Sequence, residues 1–205
     1  MKVLAIDTAG WSASVALWED GRELAFDENT HSRDQAVILP SLVKNVLGTQ
    51  PVDLFLVNRG PGSFTGIRVG LAFAKGLALG SRVPLKGIDS FTATYQSLNV
   101  TEDVLVLLEA HRQDVFGQLF QKGLAKDPHS LTRQDIEKIL DSQIPPLLAG
   151  SGVHPFCEGL SFKEAHPSWK GAQSLAYAFF KAPLFATNSS PFYGREADVS
   201  FSVSF

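Results

Sequence analysis

Residues 3–24, VLAIDTAGWSASVALWEDGREL, lie over residues 105–126, LVLLEAHRQDVFGQLFQKGLAK, at an offset of 102, half of the 205-residue chain. Each segment is an apolar run, an acidic residue (Asp7 or Glu109), a polar turn and a second run, closed by Asp20-Gly21 or Lys122-Gly123. Such closing dipeptides are tight hairpin signals. Shared order and spacing at this offset predict two similar domains, residues 1–100 and 101–205.

The remainder of each half supports that reading. In the first, Ser32 and Gln35 form a capping-box pattern opening a helix to about Leu47, with Leu39, Leu42, Val43 and Val46 on one side and Pro40 expected to kink it. Residues 53–58 read as a buried strand, 65 to about 79 as a helix, 83–88 as a strand, and Ser90 as the cap of a helix through 97. In the second, Thr132 and Asp135 start a helix to about Leu140, residues 146–149 form a strand ending in Gly150-Ser151-Gly152, and 171–181 form a helix. Hairpins followed by alternating helices and strands give the α/β class, mixed sheets flanked by helices. A duplicated unit of this kind has a cleft between its lobes, where ligands sit.

Residues 60–80, GPGSFTGIRVGLAFAKGLALG, carry Gly66, Gly70, Gly76 and Gly80 within a helical pattern. Each interior Gly costs a helix about 1 kcal/mol relative to Ala, so a close approach of backbone to a ligand or a flat helix face must compensate. The segment is not a P-loop, because Gly66 is followed by Ile67-Arg68 and not by Lys and Ser or Thr. The dinucleotide fingerprint fails as well, with Thr65 where its third Gly belongs. Ser63 or Thr65 is placed to cap the helix. Gly66, Gly70, Ala74 and Ala78 form one row four residues apart, and Ala72, Gly76 and Gly80 a second. Such a face admits a neighbour from the same lobe or a helix of another chain. Arg68 in the first turn opposes the helix dipole by roughly 0.3–1 kcal/mol, so an anion, a partner carboxylate or a phosphate, is expected beside it.

A formal net charge of −3 leaves no basic field to hold a nucleic acid unaided. No window reaches the eighteen apolar residues of a membrane helix and no leader pattern opens the chain, so a cytoplasmic protein without a membrane partner is expected. Cys157, the single cysteine, excludes an intramolecular disulfide and a cysteine zinc cage.

The glycine segment, with LAIDTAGWSASVAL at 4–17, EAHRQDVF at 109–116 and PFYGR at 191–195, resembles the TsaB (YeaZ) family, the non-catalytic partners in bacterial synthesis of N6-threonylcarbamoyladenosine on tRNA. Both halves take part. The resemblance implies the duplicated fold of actin, sugar kinases and heat-shock chaperone ATPases (ASKHA, RNase H-like). It implies a scaffold with no catalytic residue, metal or resident cofactor, leaving open a nucleotide at a lobe or subunit junction. The implied partners are a TsaD-like catalytic subunit, bound through the two first-lobe helices, and a TsaE-like ATPase docked on that heterodimer. A second copy, as a homodimer, would use the same face, and tRNA would be met only through the complex. Gly66, Arg68, Gly70 and Ala74 in one helix, with Leu39 and Val43 in the other, are the expected interface residues. The chain departs from the family's DARRGEVY hairpin at Glu109, His111 and Phe116.

The alternative is a small-molecule kinase or ATPase of the same fold. Asp7, with Thr8, is the phosphate-proximal candidate, but Glu109-Ala110-His111 does not supply the second phosphate hairpin such a site needs. The catalytic relative's His-x-x-x-His metal pair is missing, since Gln35 stands four residues after His31 and His111, His129, His154 and His166 have no such mate. No G-x-S-x-G elbow surrounds Ser63, which speaks against a hydrolase. The tail, with Val199, Phe201, Val203 and Phe205, alternates as an added strand would.

Overall fold

The computed structural model describes residues 1–30, 34–109 and 115–193. The first half contains β1 (Lys2–Asp7), β2 (Ala13–Glu19), β3 (Arg22–Asn29), α1 (Gln35–Leu47), β4 (Leu54–Asn58), α2 (Phe64–Ser81), β5 (Leu85–Ile88) and α3 (Ser90–Gln96). The second contains β6 (Val104–Glu109), β7 (Val115–Gln121), β8 (Leu124–Ala125), β9 (His129–Leu131), α4 (Arg133–Leu140), β10 (Leu147–Ala149), α5 (Val153–Cys157) and α6 (Gly171–Lys181).

The repeat is realised residue for residue in its hairpins: β1 and β6, and likewise β2 and β7, begin and end 102 positions apart. Asp20 and Gly21 turn the first hairpin at φ 48° and 81°, Lys122 and Gly123 the second at 50° and 80°. Positive φ at both central residues is the two-residue turn that matches strand twist. Each sheet is mixed. The first has order β3-β2-β1-β4-β5, with β1 antiparallel to β2 and parallel to β4. The second runs β10-β6-β7-β8, with β6 antiparallel to β7 and parallel to β10, and β9 also pairs with β7. The counterpart of β5 is reduced to one bridge between Leu148 and Glu164.

Successive side chains of a strand point to opposite faces. Leu4 and Ile6 of β1 therefore enter a core closed by α1 and α2, while Val3 and Ala5 enter another closed by Leu175, Ala176 and Phe179 of α6. In the second sheet Val104 and Val106 face Phe91 of α3, and Leu105 and Leu107 face Ile136 of α4 and Val153 of α5. The helices α3 and α6 lie against each other between the sheets, so each half supplies a helix to the other half's sheet.

Local chemistry sets the helix starts. Thr132 and Asp135 form the expected reciprocal capping box on α4, and Ser63 caps α2 by accepting from the Gly66 amide at 3.2 Å. α3 is capped by Asp89, which accepts from the Thr92 amide at 2.9 Å, so Ser90, the expected cap, is its first helical residue. Its hydroxyl turns to the glycine loop, within reach of Asn58 and Pro61. The α1 helix begins at Gln35 without a side-chain cap at Asp34 and continues through Pro40. Ser32, His31, His111, Arg195 and the alternating tail lie outside the described residues.

The two small-residue rows of α2 have different fates. A Cβ at Gly66 would stand 2.0 Å from the Thr8 carbonyl oxygen, and one at Gly70 2.3 Å from Thr8 Oγ1. Ala74 and Leu39 are fully buried and Val43 nearly so, all in the first lobe's own core. Five of the six residues expected at a subunit interface therefore pack against their own sheet, and only Arg68 is exposed. Ala72, Gly76 and Gly80 form the outward row, with nothing within 4 Å of a Cβ at Gly76 or Gly80. Gly70→Ala is expected to destabilise the fold by about 1–3 kcal/mol through overpacking. Gly76→Ala should stabilise it by about 0.5–1 kcal/mol through helix propensity, both measured by urea denaturation.

Candidate functional site: a cleft between the two sheets

The strands β1, β4 and β6 end at Asp7, Asn58 and Glu109, and these ends converge on a cleft of about 210 Å³. Ligands of open α/β sheets sit outside the carboxyl ends of the strands. The walls carry Asp7, Asn58, Ser90, Thr94, Glu109, Ser151 and Ser174, with Trp11, Gly62 and Gly171 also lining it.

Asn58, 4% exposed, organises one wall. Its Nδ2 donates to Asp7 Oδ2 at 3.0 Å, and its Oδ1 accepts from the Gly60 amide at 2.9 Å. The Ser90 hydroxyl stands 2.9 Å from Asn58 Oδ1 and 2.8 Å from the Pro61 carbonyl. The glycine loop is held from the other side too. The Ser63 amide donates to the Ala9 carbonyl at 2.7 Å, and the Phe192 amide to the Arg59 carbonyl at 2.7 Å. At Gly60, φ is 100° and a Cβ would lie 2.2 Å from the Phe192 carbonyl oxygen, so only glycine fits. The amides of Gly60, Ser63 and Gly66 are committed internally and so are not free to cradle a phosphate.

Burial pushes the Asp7 carboxyl above the ordinary carboxylate range, the Asn58 and Ala9 donors work against it, and Glu28 adds a smaller push upward. The Ala9 amide donates to Asp7 Oδ1 at 2.8 Å. Thr8, the other phosphate-proximal candidate, faces away from the cleft's walls and donates its hydroxyl to the Gly66 carbonyl at 2.7 Å. Across the mouth, Trp11 Nε1 donates to Glu109 Oε2 at 3.3 Å, a bond from one lobe to the other. The Glu109 amide donates to Ser151 Oγ at 3.2 Å.

Arg68 finds rings where an anion was expected. Its guanidinium lies 3.7 Å from the Phe64 ring centroid, and its Nε donates to Tyr193 Oη at 3.2 Å. Two further features escape sequence reading because they join distant segments. His154 and His166 flank Glu164 at 3.4 and 3.8 Å, and the Ser174 hydroxyl lines the cleft from α6. Among the described residues no group of three or more His, Cys, Asp or Glu could hold a metal ion, and no helix is long and apolar enough to cross a membrane.

The two lobes, each a mixed sheet flanked by helices, define a duplicated α/β protein of the ASKHA type, with its cleft at the strand ends. YeaZ from Pseudomonas aeruginosa shares this fold at a TM-score of 0.72 and 23% identity, covering 94% of this chain and 99% of that one. A family model described as TsaD, tRNA N6-adenosine threonylcarbamoyltransferase, matches residues 29–131. The tRNA threonylcarbamoyladenosine biosynthesis protein TsaB of Escherichia coli (strain K12) is 38% identical over 130 residues, 60% of this chain and 56% of that protein. The protein of the same description from Haemophilus influenzae is 34% identical over 135 residues, 62% and 57% of the two chains. The chain belongs to the family this model describes, on its TsaB (YeaZ) branch. The matches span a little over half the length of these two curated relatives.

A carboxyl whose folded pKa is raised binds more protons in the folded than in the unfolded state between the two values. Asp7 therefore contributes stability that is present below the ordinary carboxylate pKa and lost as pH rises through its folded pKa. Denaturation midpoints taken from acid to neutral pH are expected to show a downward component in the parent protein that Asp7→Asn lacks. Parallel curves for the two proteins would remove the assignment.

Proposed function

We propose that this protein is a non-catalytic scaffold subunit of the complex that forms N6-threonylcarbamoyladenosine on tRNA next to the anticodon. Residues 1–100 form the lobe that docks on a TsaD-like catalytic subunit, and residues 101–205 form the second. The observation that carries this reading is the outward face of α2. By helical spacing Arg68, Ala72, Gly76 and Leu79 share one side, and Leu79 is 81% exposed, with Val37 of α1 67% exposed. A partner helix can approach the bare backbone at Gly76 and Gly80 closely, burying Leu79 as it does so. The same face serves a homodimer, so heterodimer formation and self-association compete. A TsaE-like ATPase docks on the heterodimer, tRNA is met only through the complex, and the setting is cytoplasmic.

The kinase or ATPase reading draws on Asp7 at the end of β1. Against it stand the committed amides of the glycine loop and a cleft smaller than the roughly 300–1,000 Å³ of drug-sized ligand pockets.

The test is reconstitution with tRNA, the TsaD-like and TsaE-like proteins of the same genome and threonylcarbamoyl-adenylate, counting modified adenosine by mass spectrometry. Modification is expected to require this protein. Gly76→Arg should lower it at least about tenfold and abolish the heterodimer in size-exclusion chromatography with the melting temperature retained. Equal modification with the protein left out would overturn the reading.

A further inference from the structure

The outer surface of α1 and α2 carries cations without acids. Neither helix contains an Asp or Glu, while Lys44, Arg68 and Lys75 are exposed on them. Large apolar groups stand exposed among these cations, with Val37 at 67%, Phe64 at 53% and Leu79 at 81%, beside the bare helix at Gly76. Both helices cover the same face of the first sheet, so this is one continuous surface. Apolar groups gathered in this way mark a place where something docks.

Residues 191–193 deliver the chain to that surface. The Phe192 amide donates to the Arg59 carbonyl at 2.7 Å, and Tyr193 packs on the first turn of α2, its ring 5.1 Å from that of Phe64 and its hydroxyl accepting from Arg68 Nε at 3.2 Å. Residues 194–205, GREADVSFSVSF, follow directly. Fully extended they would reach about 40 Å, against about 27 Å for the whole of α2. They bring what the surface lacks: Glu196 and Asp198 outnumber Arg195, and Val199, Phe201, Val203 and Phe205 share one side of an extended segment. Pairing with a sheet edge is less accessible. The β5 edge is already bridged by Thr187 at Gly87, and β3, the other edge, lies three strands from β4, at whose end Phe192 is held. A tethered segment also meets its site at an effective concentration on the order of millimolar, which a second copy or a partner in solution does not match.

We propose that residues 194–205 dock in extended form along the outward face of α1 and α2, Glu196 and Asp198 meeting Arg68 and Lys75, and the alternating apolar side chains covering Gly76 and Leu79. The docking stands apart from the scaffold reading, whereas its consequence rests on that reading: the tail occupies in the free chain the face assigned to a TsaD-like partner, and the two exclude each other.

The test is paramagnetic broadening in NMR spectra of the full-length protein carrying a nitroxide at Ser204→Cys, since Cys157, 1% exposed, is shielded from the label. Broadening is expected at the amides of Ala72, Gly76 and Leu79, and is expected to vanish in Phe201→Ser with the melting temperature retained. Broadening centred on β3 or on the second lobe, no broadening, or broadening that Phe201→Ser leaves unchanged would overturn the proposal. So would equal broadening in a mixture of isotope-labelled and nitroxide-labelled copies, which would make a second copy the occupant. Removal of residues 194–205 should tighten the heterodimer with the TsaD-like protein at least about threefold. Broadening on α2 together with a heterodimer affinity that the removal leaves unchanged would uphold the docking and count against the face chosen for the partner.

Discussion

The seat of α2 on the end of β1 is the contact from which the first lobe is built. Thr8 presents its carbonyl where a Cβ at Gly66 would stand, and its hydroxyl where one at Gly70 would stand. Only a helix bare at both positions can come that close, and the Thr8 hydroxyl then donates into the Gly66 carbonyl. This approach fixes the rest: Ser63 reaches Ala9, the glycine loop folds over Asn58, and Ser63 caps the helix it precedes. The helix penalty of Gly66 and Gly70 is thus offset by close packing of backbone on backbone, with Ile67 and Leu71 filling the space beside them.

Once that row is used internally, the orientation of the outer one follows. Positions 72, 76 and 80 lie away from Thr8, and their lack of side chain does nothing for the lobe itself. An exposed Gly in a helix interior loses stability without local compensation. Gly76 beside an exposed Leu79 leaves a bare stretch of helix surface, the one that the proposed function assigns to a partner helix.

Both rows are legible in the sequence as stripes of equal spacing, but spacing alone does not say which of them faces the sheet. The distinguishing signal was present: Ile67 and Leu71 border the inner row, whereas Arg68 and Lys75 border the outer one. The hairpins were readable in register because turn chemistry is local, fixed by Asp20-Gly21 and Lys122-Gly123. The strand-end acids Asp7 and Glu109 were readable for the same reason. What escaped were groups placed by packing between distant segments. Ser90 has the chemistry of a helix cap, yet Asp89 takes that role and frees the hydroxyl for the loop. Ser174 has no local signature, and it reaches the cleft only because α6 crosses to the first sheet.

That crossing also bears on what the cleft can do. With α3 and α6 packed between the sheets, the two lobes share their inner helices, and Trp11 adds a bond to Glu109 across the mouth. Opening the cleft far enough for a nucleotide would separate Trp11 from Glu109 and disturb packing around α6, whose Ala172 amide is already held by Ser14 at 2.9 Å. A kinase of this architecture closes around a large ligand by moving one lobe against the other. Here Trp11 and Glu109 span the mouth of the junction while α3 and α6 pack together between the sheets, so a movement of that kind would have to break contacts that both halves share.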